Sequence, residues 1–396
     1  MGAEFPDKSK IMEEDAEYIM HSYARFPVVI RSGSGALITD ADGKEYIDLA
    51  SGIGVNIFGI SDPEWVRAVT EQLGTLQHTS NLYYSEPCVR LAKMLCERTG
   101  MKKVFFSNSG AEANECAIKA ARKYSRDKYG DGRYKIITLK NSFHGRTLAT
   151  LAATGQDVYH RDFTPMPEGF LYADAEDFDG LTKLAEGGDV AAVMVETVQG
   201  EGGVIPLGKT FFRSVCEWAQ ERDILVIVDE VQTGNGRSGM LYAYMNYDVH
   251  PDIVTTAKGL GGGLPIGATM FSEKVSGVFT PGTHGSTFGG NPVAAAGAAS
   301  ILSRIDEKLL RGVREKGEYL VSTLSEADGV KSVTGLGLML GIEPERDAGQ
   351  VINECLANGV IVIRAKNKIR LLPPLNINND LLCRAVDILK KALAGK

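Results

Sequence analysis

Lys258 lies just beyond the apolar run Asp252–Thr256 and is followed at once by Gly259, Gly261, Gly262 and Gly263. A lysine held in a dry pocket has a lowered pKa and attacks aldehydes, and glycines beside it let a bulky adduct approach the backbone. Taken alone, a Lys-Gly pair more often marks a solvated lysine beside a flexible loop. A second run, Ile224–Asp229, ends in two carboxylates, Asp229 and Glu230. A buried carboxylate needs a positive partner, although a strand-end Asp serves as readily to cap the next loop. Ser107–Glu112 follows the run Val104–Phe106 and opens a long Ala- and Lys-rich helix, so Gly110 and Ala111 would present free amides at the positive end of a helix dipole. An ordinary Ser-capped helix reads the same way. Asn141–Thr147 offers an aromatic ring, Phe143, and a guanidinium, Arg146, three residues apart, with His144 between them. The ring could stack on a flat ligand and the guanidinium clamp a carboxylate. A core Phe beside an exposed Arg, and a hydrogen-bonded structural His144, are the plainer readings.

Together these residues comprise a nucleophilic amine, a carboxylate for a ring nitrogen, a stacking ring, a phosphate cup and a carboxylate clamp. That set matches what pyridoxal 5′-phosphate requires. No metal is expected.

The elements that must position these groups are short buried strands alternating with helices. Val104–Phe106, Lys135–Leu139, Ala191–Glu196, Leu225–Asp229 and Asp252–Thr256 read as parallel strands, with helices over Glu112–Tyr129 and Thr210–Arg222. The expected fold is α/β with a mostly parallel central sheet, whose ligands gather beyond the carboxyl ends of the strands. After about residue 290 the pattern changes: helices over Pro292–Ile305 and Asp306–Ser325, strands near Val330–Ile342 and Val360–Leu372, and a helix over Asn379–Ala394. This predicts a smaller α+β domain over 290–396, a large domain over 57–289, and a segment 1–56 that packs with the small one. That segment holds a possible helix and an Asp-Gly hairpin over Leu37–Leu49.

Composition narrows the setting. The 396 residues carry a net charge of −7, which disfavours nucleic acid and anionic membrane as partners. Six cysteines without a C-x-x-C pair favour reduced thiols in a cytoplasm. Met1–Met12 lacks an apolar stretch and no run of 18 apolar residues occurs, so no export or membrane span is expected.

The chain resembles the class III aminotransferases of fold type I, and within them the acetylornithine aminotransferase group, from about Tyr23 to the last helix. The stretches that carry the likeness are Ser80–Tyr84, Ser109–Ala113, Phe143–Thr147, Gln199–Gly203, Asp229–Gly234, Ala257–Gly263, His284–Pro292 and Arg370–Pro374. The resemblance implies that Lys258 bonds the cofactor aldehyde, Asp229 pairs with the pyridine nitrogen, Gln232 lies near the ring hydroxyl, Phe143 stacks on the ring, and Gly110 and Ala111 hold the phosphate. Ser286 and Thr287 match positions that reach into a neighbouring subunit's site, Thr287 at the phosphate, which implies a homodimer with shared active sites.

The implied reaction moves the distal amine of N2-acetylornithine to 2-oxoglutarate, giving N-acetylglutamate 5-semialdehyde and glutamate, as in arginine biosynthesis. The two donors differ in shape. The resemblance therefore implies that Arg146 grips the distal carboxylate of each, while Arg370 grips the α-carboxylate of glutamate and is otherwise masked by Glu201. A salt bridge at a domain contact is the plainer reading of the Glu201–Arg370 pair. Related ornithine enzymes carry a Tyr near Gly52, where this chain leaves room for an acyl group; Tyr23 would line the same pocket or merely pack. Ornithine, 4-aminobutyrate and succinyl-diaminopimelate transferases are the alternatives in the class, with an aminomutase more distant and a non-catalytic binding module outside it. The chain departs from its relatives' pattern at Gly59–Pro63, at Thr197 and in the basic segment Arg364–Lys368.

Overall fold

The computed structural model describes residues 7–395, so the first six residues of the N-terminal segment lie outside the described residues. A seven-stranded sheet organises the large domain. Its order across the sheet is Lys103–Ser107, Gly267–Phe271, Ile253–Thr256, Leu225–Asp229, Val190–Glu196, Lys135–Leu139 and Phe170–Ala173. Val190–Glu196 and Leu225–Asp229 are buried at every position, as expected of parallel strands covered on both faces. Two strands of the sheet, Phe170–Ala173 and Gly267–Phe271, lie outside the sequence-based assignment. Gly267–Phe271 runs antiparallel to both its neighbours. Among the described residues Lys103–Ser107 pairs with this antiparallel strand alone, at the edge of the sheet. It still points the same way as the parallel strands, so Ser107, Leu139, Glu196, Asp229 and Thr256 end at one edge of the sheet.

The helix Gly110–Tyr129 lies on this sheet through Ala113, Cys116, Ala117, Ala120 and Ala121, whose small side chains allow close approach. Its start is fixed locally. Ser109 Oγ accepts from the amide of Glu112 at 3.1 Å, and the Glu112 carboxylate reaches back to the amide of Asn108 at 2.5 Å. On the other side, Lys209–Glu221 buries Phe211, Phe212, Val215, Trp218 and Ala219 at helical spacing.

The smaller domain is built on an antiparallel sheet in the order Val330–Leu336, Met339–Pro344, Lys368–Leu371, Ile363–Ala365. Ile369 and Leu371 join the hydrophobic core, so Lys368 and Arg370 occupy the opposite face. The hairpin Leu37–Asp40/Glu45–Asp48 gains a third strand, Ile30–Ser34, and pairs in parallel with Val360–Ile361. Lys8–Tyr18 is helical with no buried residue. Among the described residues no helix is long and apolar enough to cross a membrane.

Candidate active site

At the carboxyl edge of the large sheet lies a cavity of about 430 Å³, lined among others by Gly110, Ala111, Phe143, Arg146, Glu196, Asp229, Gln232 and Lys258. Three strand ends and one helix start converge on it. Lys258 follows Ile253–Thr256 with φ 44°, in the left-handed region that a lysine adopts at a cost of about 1 kcal/mol. Its Nζ has no hydrogen-bond partner among the described residues, and burial lowers its pKa, with Glu201 opposing that shift and Arg370 adding to it. A neutral amine with a free lone pair is a nucleophile.

Asp229 is 4% exposed and held on three sides. Its Oδ2 accepts from Asn114 Nδ2 at 2.7 Å and from His144 Nδ1 at 2.8 Å, and its Oδ1 accepts from the amide of Val231 at 3.0 Å. Asn114 is itself fixed, donating also to the carbonyl of His144 at 2.7 Å and accepting from Thr255 Oγ1 at 2.6 Å. His144 is therefore the hydrogen-bonded histidine expected, and its partner is the aspartate itself.

The helix start forms the other wall. Gly110 and Ala111 are the first two helical residues, whose amides have no acceptor within the helix. A side chain at Gly110 would meet Val231 Cγ1 at 2.6 Å, so only glycine keeps the cup open. Phe143 lines the cavity, and the Arg146 guanidinium lies over the Phe143 and Tyr159 rings at 5.5 and 4.4 Å. Arg146 is exposed and makes no ion pair among the described residues.

Arg370, on the strand Lys368–Leu371, and Glu201, in the turn after Val198–Gln199, come together. Arg370 Nη1 donates to Glu201 Oε1 at 2.5 Å and to Gln232 Oε1 at 2.9 Å, while its Nε is buried without a partner. Arg370 is 3% exposed. Ser286 Oγ accepts from Asn108 Nδ2 at 3.2 Å, at the rim of the helix start. Thr287 is exposed and lines a separate groove with His78–Val89. Tyr23 is 74% exposed, lies beside Arg25 and lines none of this cavity. Gly52 has φ 60°, and a Cβ there would lie 3.4 Å from Asn56 Nδ2 with little else nearby.

Two further residues were not assigned from the sequence. Asn114 belongs to the same helix as Gly110, one turn on, and the sequence marks it only as part of an Ala-rich face. Glu196 closes its strand as Asp229 closes the next, and the two are paired in register. It accepts from the amides of Phe143 and Gly200 at 2.8 and 3.2 Å. Burial pushes its carboxyl up to about 7, with His144 opposing the rise and Asp229 adding to it.

The donor set fits pyridoxal phosphate: an unpartnered amine, a fixed carboxylate, an aromatic ring and a glycine-lined cup with two free amides converge on one space. Residues 18–393 match the family described as aminotransferase class-III. An acetylornithine aminotransferase from Haemophilus ducreyi is 49% identical over 388 residues, covering 97% of this chain and 98% of the relative. A solved N-acetylornithine aminotransferase from Stenotrophomonas maltophilia superposes with a TM-score of 0.84 at 36% identity, over 97% of this chain and 98% of that one. A Toxoplasma gondii ornithine aminotransferase superposes with a TM-score of 0.93 at 31% identity, over 100% and 96%, and is described with partial occupancy of PLP at its active site. With its lysine, aspartate and glycine cup placed as this chemistry needs, and with likeness running nearly end to end, the chain belongs to the class III aminotransferases.

Proposed function

We propose that the chain transfers the distal amino group of N2-acetylornithine to 2-oxoglutarate, with pyridoxal 5′-phosphate as cofactor, giving N-acetylglutamate 5-semialdehyde and glutamate for arginine biosynthesis. The observation that carries this is the placing of Lys258 and Asp229 in one cavity, read with 49% identity to a relative named for that activity. The cofactor, when bound, supplies an aldehyde for the substrate amine and a ring that withdraws electrons from the carbon beside it. Lys258 Nζ moves the proton at the substrate carbon. Asp229 keeps the ring nitrogen protonated, and Asn114 and His144 hold its carboxylate in place. The Gly110 and Ala111 amides bind the phosphate, Phe143 covers one ring face, and Gln232 sits toward the ring hydroxyl. Arg146 holds the distal carboxylate of either donor. Arg370 takes the α-carboxylate of glutamate once Glu201 withdraws.

Ser286 and Thr287 act in the site of a second copy of the chain. The groove beside Thr287 supports this: Tyr84 lines it and is 100% exposed, and the neighbouring Leu82 and Phe288 are 87% and 60% exposed, an apolar area suited to burial in a homodimer. The chain divides into a large cofactor-binding domain over 57–289 and a small domain over 290–396 joined by 1–56, a reading supported by the pairing of Glu45–Asp48 with Val360–Ile361. Six free thiols support a reducing compartment, the cytoplasm.

The test is a panel of amine donors with 2-oxoglutarate. Acetylornithine should exceed ornithine and 4-aminobutyrate in kcat/KM by roughly tenfold or more, the margin that pocket contacts supply. The K258A protein should lose turnover with all of them. Faster turnover of free ornithine would instead assign the chain to that donor.

A further inference from the structure

Glu196 lines the cavity, yet the reaction as read above gives it no task. It is 5% exposed and has no cation within ion-pair distance among the described residues. Its two oxygens face two different loops. Oε1 accepts from the amide of Phe143 and Oε2 from the amide of Gly200. The first loop carries the ring that covers the cofactor, and the second is the turn that carries Glu201. That turn is wedged tightly. A Cβ at Gly200 would lie 2.7 Å from Gln232 Oε1, and one at Gly202 would lie 2.7 Å from the carbonyl of Asn141. Gln199 Nε2 adds a second tie to the same loop, donating to the carbonyl of Lys140 at 2.9 Å.

We propose that Glu196 is a positioning residue: it ties the Phe143 backbone to the Glu201 turn, so that the ring over the cofactor and the guard on Arg370 are held as one unit. The inference rests on the reading of Arg370 and Glu201 given above. A carboxylate offers acceptors on both oxygens, whereas a glutamine offers one oxygen and an amino group that cannot face an N–H. E196Q must therefore release one of the two amides while conserving volume. A carboxylate that only satisfied strand-end amides would, when replaced, lower stability and slow both half-reactions alike.

The experiment uses the whole chain, freed of cofactor and reloaded. Fluorescence titration should show E196Q binding pyridoxal phosphate roughly tenfold more weakly, the scale of one lost hydrogen bond to a charged acceptor. Single-turnover assays should show the acetylornithine half-reaction falling roughly tenfold further than the glutamate half-reaction. In an E201Q background that differential should disappear, because there is no longer a charged guard to misplace. Unchanged cofactor affinity with equal losses in both halves would overturn the proposal, as would a differential that persists undiminished in E201Q. If E201Q alone left the ratio of half-reactions unmoved, the guard reading would fail, while the cofactor titration would still decide whether Glu196 orders the Phe143 loop. Should E196Q not fold, E196D, with two acceptors on a shorter chain, is read by the same measures.

Discussion

Replacing Glu201 by glutamine removes a charge from Arg370 but leaves a carbonyl oxygen in the same place. Arg370 Nη1 now bonds Glu201 at 2.5 Å and Gln232 at 2.9 Å from a position 3% exposed. Hydrogen bonds to a charged group contribute about 1.5–3 kcal/mol; the arginine–carboxylate bond, ionised on both sides, belongs at the top of that range and the arginine–glutamine bond, ionised on one, at the bottom, so the exchange weakens the guard by about 1–1.5 kcal/mol. The Glu201 side chain is 26% exposed, and solvent screening favours the lower figure. At about 1 kcal/mol, an incoming carboxylate displaces the guard roughly fivefold more readily. Glutamate should therefore half-saturate its half-reaction at a concentration about fivefold lower in E201Q. Acetylornithine should suffer the reverse. It carries one carboxylate, and an unguarded Arg370 competes with Arg146 for it, seating the distal amine away from Lys258. Rapid mixing of the loaded enzyme with each donor separately, following cofactor absorbance, reads both effects. A glutamate half-saturation that stayed constant or rose, with both halves slowed together, would refute the guard.

Three further outcomes are expected. D229A should lower kcat by roughly a hundredfold or more while moving KM far less, since a protonated ring matters only as charge develops; near-wild-type turnover would refute the role. G110V places a side chain against Val231, where a Cβ already comes within 2.6 Å of Cγ1, so apoenzyme titration should show pyridoxal phosphate affinity falling sharply, and unchanged affinity would remove Gly110 from the cup. Glu230 concerns stability: burial pushes its carboxyl up to about 7, against donation from Thr233 Oγ1 and the amides of Ala243 and Tyr244. The folded state then keeps a proton that the unfolded chain loses near pH 4.5, so this contribution is complete below that pH and is lost as pH rises through 7. It amounts to about 3 kcal/mol at most. Calorimetry from pH 4.5 to 7 should show a shallower fall in stability for E230Q than for the parent, and parallel slopes would contradict the assignment.

What the sequence makes legible follows from where chemistry constrains the local backbone. Lys258, Asp229 and Gly110 each stand where a strand or helix terminates, and the residues that terminate elements differ visibly from those within them. The strands themselves are short apolar runs, and their alternation with helices suffices for an α/β sheet. Direction does not follow from such runs. Gly267–Phe271 is buried on both faces like the parallel strands at the centre of the sheet, so nothing in its composition marks it as antiparallel. Phe170–Ala173 is apolar throughout, but it is only four residues long and lies mostly half-buried at the sheet edge, so its run is short beside those of the central strands.

The support behind the Asp229 carboxylate is least legible, for a different reason. Asn114 and His144 reach Asp229 across 115 and 85 residues of sequence, and neither has a spacing that a local pattern could reveal. Glu196 is the intermediate case. It closes a strand beside Asp229 and satisfies the same positional rule, yet a lone glutamate at a strand end has no chemistry until the loops it joins are placed. Only the fold brings the amides of Phe143 and Gly200 to opposite oxygens of one carboxylate. A residue whose task is to relate two loops can be located from sequence, but its task is defined by the distance between them. That is why the groups proposed to bond the cofactor can be named by inspection of strand ends, whereas those that hold the site in register require the three-dimensional structure.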